Sequence, residues 1–349
     1  MPQNSRIGVI YVSNQKNSIN WDLVNSSIEE HGHLVYRKRF GDIRCIPDGT
    51  NFAPGVNINP KWKIPDRIVI NTTINGGFFS QEQNPSIPIK PDEIYRSTRE
   101  AILAGAPMVH VHTRDDQGYS SLDLDKMHMI LDPIKEEFPD IVIDGCVVPA
   151  RPGHFEMMCE MYKSGLLDAT PINCTANYAS DRVFVGHPHN IIEQCYIAQE
   201  NNVQPELAVY TNGDVDNAYR YLIAPGLVEK PYTWCLLAGL PGGMPCSSPE
   251  MMISSLTNCV MRIREISDQR IVVCAAGRPS IYIATMAILM GLDIRIGKED
   301  TLWKWPHKDD LITDTAACFQ EYCQLARILG REPYTKPSDL RNALGMPQK

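Results

Sequence analysis

Short apolar runs alternate with segments of helical periodicity along most of this chain. Runs over residues 68–74, 107–112, 141–144, 166–172, 206–210, 232–238, 270–275 and 292–297 predict eight strands. The segments over residues 91–105, 123–138, 155–164, 190–201, 215–223, 249–265, 280–290 and 311–329 predict eight helices. Pro91, Asp92 and Glu93 open the first helix. A proline there gives up only an N–H that has no partner within the helix, and acids suit the positive end of the dipole. Near-continuous apolar strands are the pattern of a parallel sheet buried on both faces. Eight strand–helix units fit a (β/α)8 TIM barrel, which needs about 250 residues. An open doubly wound sheet is the runner-up, but no GxGxxG follows the first strand.

Residues 1–66 do not follow this repeat and read as an N-terminal extension, leaving residues 67–349 for the barrel and a C-terminal tail. Within the extension, residues 7–12 predict a strand and residues 21–30 a helix. A Pro/Gly/Asn-rich passage over residues 46–65 predicts a linker.

Composition narrows the function. A net charge of -8 over 349 residues argues against nucleic acid or an anionic membrane as partner. No run approaches the roughly 18 apolar residues of a membrane span. The first residues lack the basic-then-apolar order of a secretory signal. Eleven cysteines without a CxxC pair fit reduced thiols in a cytoplasmic protein.

Two strand ends carry candidate chemistry. Residues two apart in a strand share a face, so His110 and His112 can hold one metal ion. Two other His-x-His pairs exist, His31/His33 and His187/His189, but neither ends an apolar strand. Active sites of such barrels lie at the C-terminal strand ends. Strand eight neighbours strand one, which brings Arg295, Glu299 and Asp300 close to the histidines. A distant carboxylate as third ligand would leave a position open for substrate, as in catalytic zinc sites. The bland alternative is a pair of hydrogen-bonded core histidines and a solvated ion pair. Yet Arg295 lies inside an apolar strand, where an unpaired guanidinium is costly and a neighbouring acid is tuned by it.

The chain resembles the beta-keto acid cleavage enzymes. The resemblance rests on four segments in order: Asn84-Pro-Ser-Ile-Pro-Ile-Lys-Pro91, Ala104-Gly-Ala-Pro-Met-Val-His-Val-His-Thr-Arg114, Arg295-Ile-Gly-Lys-Glu-Asp300 and Leu340-Arg-Asn-Ala-Leu-Gly345. It implies a (β/α)8 barrel, typically a homotetramer, with zinc on His110, His112 and Glu299. It implies Claisen-type exchange between a beta-keto acid and acetyl-CoA, giving acetoacetate and a new acyl-CoA. In that reading Asp300, held by Arg295, removes a methyl proton from the acetyl thioester, and the enolate attacks the keto carbon.

Thr170 matches a hydroxyl residue that the family places near the reacting groups. Cys146 stands where the family has a serine. Gly242 and Gly243 would let the chain approach CoA or substrate closely, or form a plain tight turn. Phe78 stands where the member acting on an amino-keto acid has a glutamate, which favours an apolar keto acid. Arg114 and Asp115 are expected to form a local salt bridge. Two other classes compete: a metal-dependent hydrolase on the same barrel, and a non-enzymatic binding protein that kept it.

Overall fold

The computed structural model describes residues 20–31, 61–149, 151–179, 182–240 and 242–349. The chain divides into two compact units, residues 1–63 and 64–349. In the first, a helix spans Trp21–His31. The expected strand at residues 7–12 and most of the linker passage lie outside the described residues.

The second unit is a closed barrel of eight parallel strands. These are β1 (Ile70–Thr73), β2 (Met108–Val111), β3 (Val142–Gly145), β4 (Ala169–Asn173), β5 (Gln204–Val209), β6 (Thr233–Leu236), β7 (Arg270–Cys274) and β8 (Asp293–Gly297). They pair in chain order, and β8 closes on β1 with Arg295 opposite Asn71. The eight helices that follow them are α1 (Pro91–Leu103), α2 (Leu124–Glu137), α3 (His154–Lys163), α4 (Pro188–Glu200), α5 (Asn212–Ala218), α6 (Pro249–Ile266), α7 (Ser280–Leu289) and α8 (Thr315–Ile328). Every predicted strand–helix unit is present, with ends shifted by a few residues. The first helix begins as its residues dictate, with Pro91 in the first turn and Glu93 accepting from the Lys90 N–H at 3.1 Å.

Strand alternation sorts the side chains into two layers. Outward residues such as Ile70, Val109, Ile143, Leu207, Trp234 and Ile294 pack beneath the helices in the main core. Inward residues at the N-terminal end of the barrel (Val69, Met108, Val142 and Ala169) meet Leu340, Leu344 and Met346. Leu340 and Leu344 belong to a last helix, α9 (Pro337–Leu344). Arg341 is buried there, donating to the Asp140 and Ile141 carbonyls and pairing with Asp168 at 3.0 Å. The C-terminal segment thus plugs the floor of the barrel, which leaves the C-terminal strand ends for chemistry. Among the described residues, no helix is long and apolar enough to cross a membrane.

Candidate active site

His110 lies inside β2 and His112 follows it by one residue, both pointing inward and both buried. Glu299 stands two residues beyond β8. His110 Nε2 lies 3.0 Å from Glu299 Oε2, and His112 Nε2 lies 3.1 Å from Glu299 Oε1. The two Nε2 atoms face each other at 3.1 Å. Glu299 Oε2 is buried without a well-aligned hydrogen bond. On the far side of the ring, His110 Nδ1 sits 2.5 Å from Asp144 Oδ2, which also accepts from Asn71 Nδ2 at 2.8 Å. A carboxylate behind a histidine fixes its tautomer and orientation for a metal.

The charges point the same way. Arg295 forms a two-pronged pair with Asp300, Nε to Oδ2 at 3.0 Å and an amino nitrogen to Oδ1 at 2.5 Å, and lies 3.5 Å from Glu299. Burial disfavours charge on His110, but Asp144 and Glu299 outweigh it and raise its pKa well above the usual range. Burial pushes Glu299 up, and His110, His112 and Arg295 reverse this and hold it well below the usual carboxylate range. Asp144, Glu299 and Asp300 against one guanidinium leave two negative charges to be met, by protons on both imidazoles or by one divalent cation. Zinc bonds of about 2.0–2.2 Å to nitrogen and oxygen put tetrahedral ligand atoms roughly 3.3 Å apart. The facing atoms, two imidazole nitrogens and the two oxygens of Glu299 that each meets, are within a few tenths of that, so the residues fit a metal ion.

His112 gives this a pH signature. Burial lowers its pKa, but Glu299 and then Cys146 outweigh burial and raise it to about 9. Such a raised group stabilises the metal-free fold below the ordinary histidine range, and that contribution is lost as pH rises through about 9. A metal must displace that proton. Metal affinity, measured against a competing chelator, is therefore expected to rise about tenfold per pH unit for each proton displaced, with the His112 contribution levelling off near pH 9. A flat profile would contradict the assignment of His112.

Gly76 makes room for Glu299. Its φ is +58°, and a Cβ there would fall 2.2 Å from Glu299 Cγ and 2.7 Å from Glu299 Cα. Gly76→Ala must displace the carboxylate as well as strain the backbone by roughly 1–2 kcal/mol. The expected result is a folded protein, by circular dichroism, with metal content and activity both lost. Retained metal would show that Glu299 does not depend on this packing.

These groups lie at one end of a cavity of about 470 Å3. Its walls include Phe78, Phe79, Val148, Pro171, Phe184, Tyr210, Leu237 and Leu240, with His112, Cys146, Arg295 and Glu299 among the polar contacts. Phe184 comes from a hairpin, Ala176–Ala179 with Arg182–Val185, that follows β4. Its ring stands edge-on to Tyr210 at 6.2 Å. Phe78 is half exposed at the rim.

Several sequence expectations meet a different reality. Thr170 is on the outer phase of β4: its hydroxyl donates to the Gly145 carbonyl at 3.0 Å and meets Tyr162 of α3 at 3.2 Å. Inward positions of β4 are Pro171 and Asn173, so Thr170 is not a cavity residue. Gly242 and Gly243 do not line the cavity either. The close approach at Gly242 is to protein backbone, since a Cβ would fall 1.5 Å from the Tyr178 carbonyl oxygen, and the Gly243 N–H closes a turn onto Leu240. Arg114 reaches the Asn75, Phe79 and Gly118 carbonyls and pins the loop that carries Phe78, and no ion pair with Asp115 forms. Asp300 is fully buried behind Arg295 and is not part of the cavity wall.

Three buried polar residues escaped the sequence reading: Asn71, Asp144 and Glu206. Each is a polar residue on the inner phase of an apolar strand, the same signal that singled out Arg295. Burial, with Asp144 nearby, raises the Glu206 pKa well above the usual carboxylate value, which favours its neutral form inside the barrel.

Residues 67–346 match the family model of the beta-keto acid cleavage enzymes. The chain belongs to this family. It is an enzyme that cleaves a carbon–carbon bond and transfers an acyl group. The 3-keto-5-aminohexanoate cleavage enzyme of Acetoanaerobium sticklandii is 28% identical over 287 residues, spanning 80% of this chain and 99% of that one. The 3-dehydrocarnitine:acetyl-CoA trimethylamine transferase of Rhizobium meliloti is 24% identical over 258 residues, spanning 68% of this chain and 83% of that one. Among solved structures, the binary complex of ObcA with oxaloacetate has the same fold, with a TM-score of 0.63 at 21% identity over 75% of this chain and 68% of that one.

Proposed function

We propose that this enzyme is zinc-dependent and exchanges acyl groups between an apolar beta-keto acid and acetyl-CoA, yielding acetoacetate and a new acyl-CoA. The observation that carries the reading is the facing of two imidazoles and a carboxylate at 3.0–3.1 Å at the end of an apolar cavity. His110, His112 and Glu299 would hold the metal, which when bound supplies Lewis-acid stabilisation of negative charge on the keto oxygen.

Atom balance fixes where the base must act. Acetoacetate and a new acyl-CoA arise only if the carbon between keto group and carboxylate bonds to the acetyl carbonyl carbon. The bond from that carbon to the keto carbon then breaks, and the CoA sulfur released from acetyl takes the keto carbon. The proton removed is therefore the keto acid's α-proton, which corrects the expectation of an acetyl methyl proton. Asp300 would take it and return it to acetoacetate at the end, so one carboxylate serves both steps. Burial raises the Asp300 pKa, and Arg295 only partly reverses this, which makes it a stronger base than an exposed aspartate. Because Asp300 lies behind Arg295, the pair must open toward the substrate for the transfer. Arg295 works against the burial that disfavours charge on Asp300 and presents positive charge to the cavity.

The wall supports the substrate class. Among the described residues its charged side chains besides His112 are Arg295 and Glu299, both engaged at the metal end, so a distal ammonium or carboxylate on the substrate would find no free charged partner among them. Phe78, Phe184 and Tyr210 offer aromatic surface to an apolar chain. The reading includes a homotetramer, as the resemblance implies, and a cytoplasmic location, as the cysteine pattern suggests; the exposed Tyr178, Val183 and Val185 of the hairpin offer an apolar face for self-association.

The test is incubation of zinc-loaded protein with acetyl-CoA and a pool of apolar, amino, trimethylammonium and dicarboxylic keto acids, read by mass spectrometry. Acetoacetate with an apolar acyl-CoA is expected. Preference for a charged keto acid would overturn the substrate class, and CoA-independent amide or lactone hydrolysis would overturn the reaction.

A further inference from the structure

We infer that Cys146 is a fourth metal ligand in the substrate-free enzyme, its thiolate holding the position that the keto acid must take. This rests on His110, His112 and Glu299 being ligands. Cys146 follows β3 directly, on the same inward phase as Asp144, which supports His110 from behind. Its Sγ and one ring nitrogen each of His110 and His112 lie within 4.8 Å of one another. Two imidazoles with a thiolate are a donor set that zinc accepts readily, at about 2.0–2.1 Å to nitrogen and 2.3 Å to sulfur. Cys146 is half-buried and lines the same cavity as His112 and Glu299, so its sulfur shares the open side of the cluster with an incoming substrate. The other cavity cysteine, Cys235, faces Cys274 with the sulfurs 3.9 Å apart.

A serine hydroxyl at this position would be a weak, neutral donor. A thiol gives up its proton on coordination and binds as an anion. The resting site then has four protein ligands, the closed arrangement of structural zinc, and opens only when a chelating acid displaces the sulfur. The thiolate would hold the metal tightly between turnovers and raise the threshold for substrate entry.

Cobalt(II)-loaded full-length protein tests this by absorption spectroscopy. A near-ultraviolet thiolate-to-cobalt charge-transfer band is expected, bleached by saturating acetoacetate. It should be absent from Cys146→Ser, which keeps the visible cobalt bands, and present in Cys235→Ser. Visible bands in the wild type without a charge-transfer band overturn the thiolate ligand and leave the three-residue set standing. A charge-transfer band that survives in Cys146→Ser also overturns it. No cobalt uptake by the wild type defeats the metal site itself.

Discussion

His110→Ala is expected to lose metal and turnover together, because two remaining protein ligands do not hold a catalytic zinc. The imidazole is fully buried, with one nitrogen on Asp144 and the other facing Glu299 and His112. Removing it also strands Asp144 as a buried charge, a destabilisation of about 3–5 kcal/mol. The double variant His110→Ala/Asp144→Asn removes that charge and separates ligand loss from unfolding. Asp144→Asn alone keeps the ligand and loses its support, so metal affinity should fall about 10–100-fold while some activity survives. Metal content after dialysis and thermal unfolding by circular dichroism check all three. One equivalent of metal on the double variant would show that His110 is not a ligand.

Asp300→Asn is expected to divide the roles the other way. The amide keeps the side chain's shape and one of the two acceptors for Arg295, and it leaves the His110, His112 and Glu299 side chains in place, so metal content should match the wild type. Turnover should fall by about 10²–10⁴-fold, the usual contribution of a positioned general base. Exchange of the keto acid's α-proton with deuterated water gives a second readout, which should stop in the variant. Normal exchange with slow turnover would move Asp300 from proton transfer to positioning. Loss of metal would mean that its pair with Arg295 holds Glu299 in place.

Much of this was legible in the chain because buried parallel strands leave a strong signal. An apolar run that ends in His110 and His112, or contains Arg295, also reveals its inward phase through the polar residue itself. The same logic applies to Asp144 at the end of β3 and Glu206 within β5, and it would have found both. Thr170 rests on a match to a family hydroxyl residue at the end of strand four, and such a match carries no phase. In β4, Ala-Thr-Pro-Ile-Asn, only pairing with β3 and β5 tells that Pro171 and Asn173 face inward. The hairpin bearing Phe184 was invisible for another reason. Its residues interrupt the strand–helix repeat, and its partner surface, Tyr210, is contributed by a different strand end. Arg114 shows the limit of local reasoning, since its carbonyl partners Asn75 and Phe79 are far along the chain, while Asp115 is adjacent.

The most direct test of the central claim follows one carbon. Acetyl-CoA labelled with carbon-13 at the carbonyl is supplied with the preferred apolar keto acid to zinc-loaded and metal-stripped enzyme. The account predicts label in the keto carbon of acetoacetate and none in the new acyl-CoA, with turnover restored to stripped protein by zinc. Label in the acyl-CoA product, or equal turnover without metal, would contradict it.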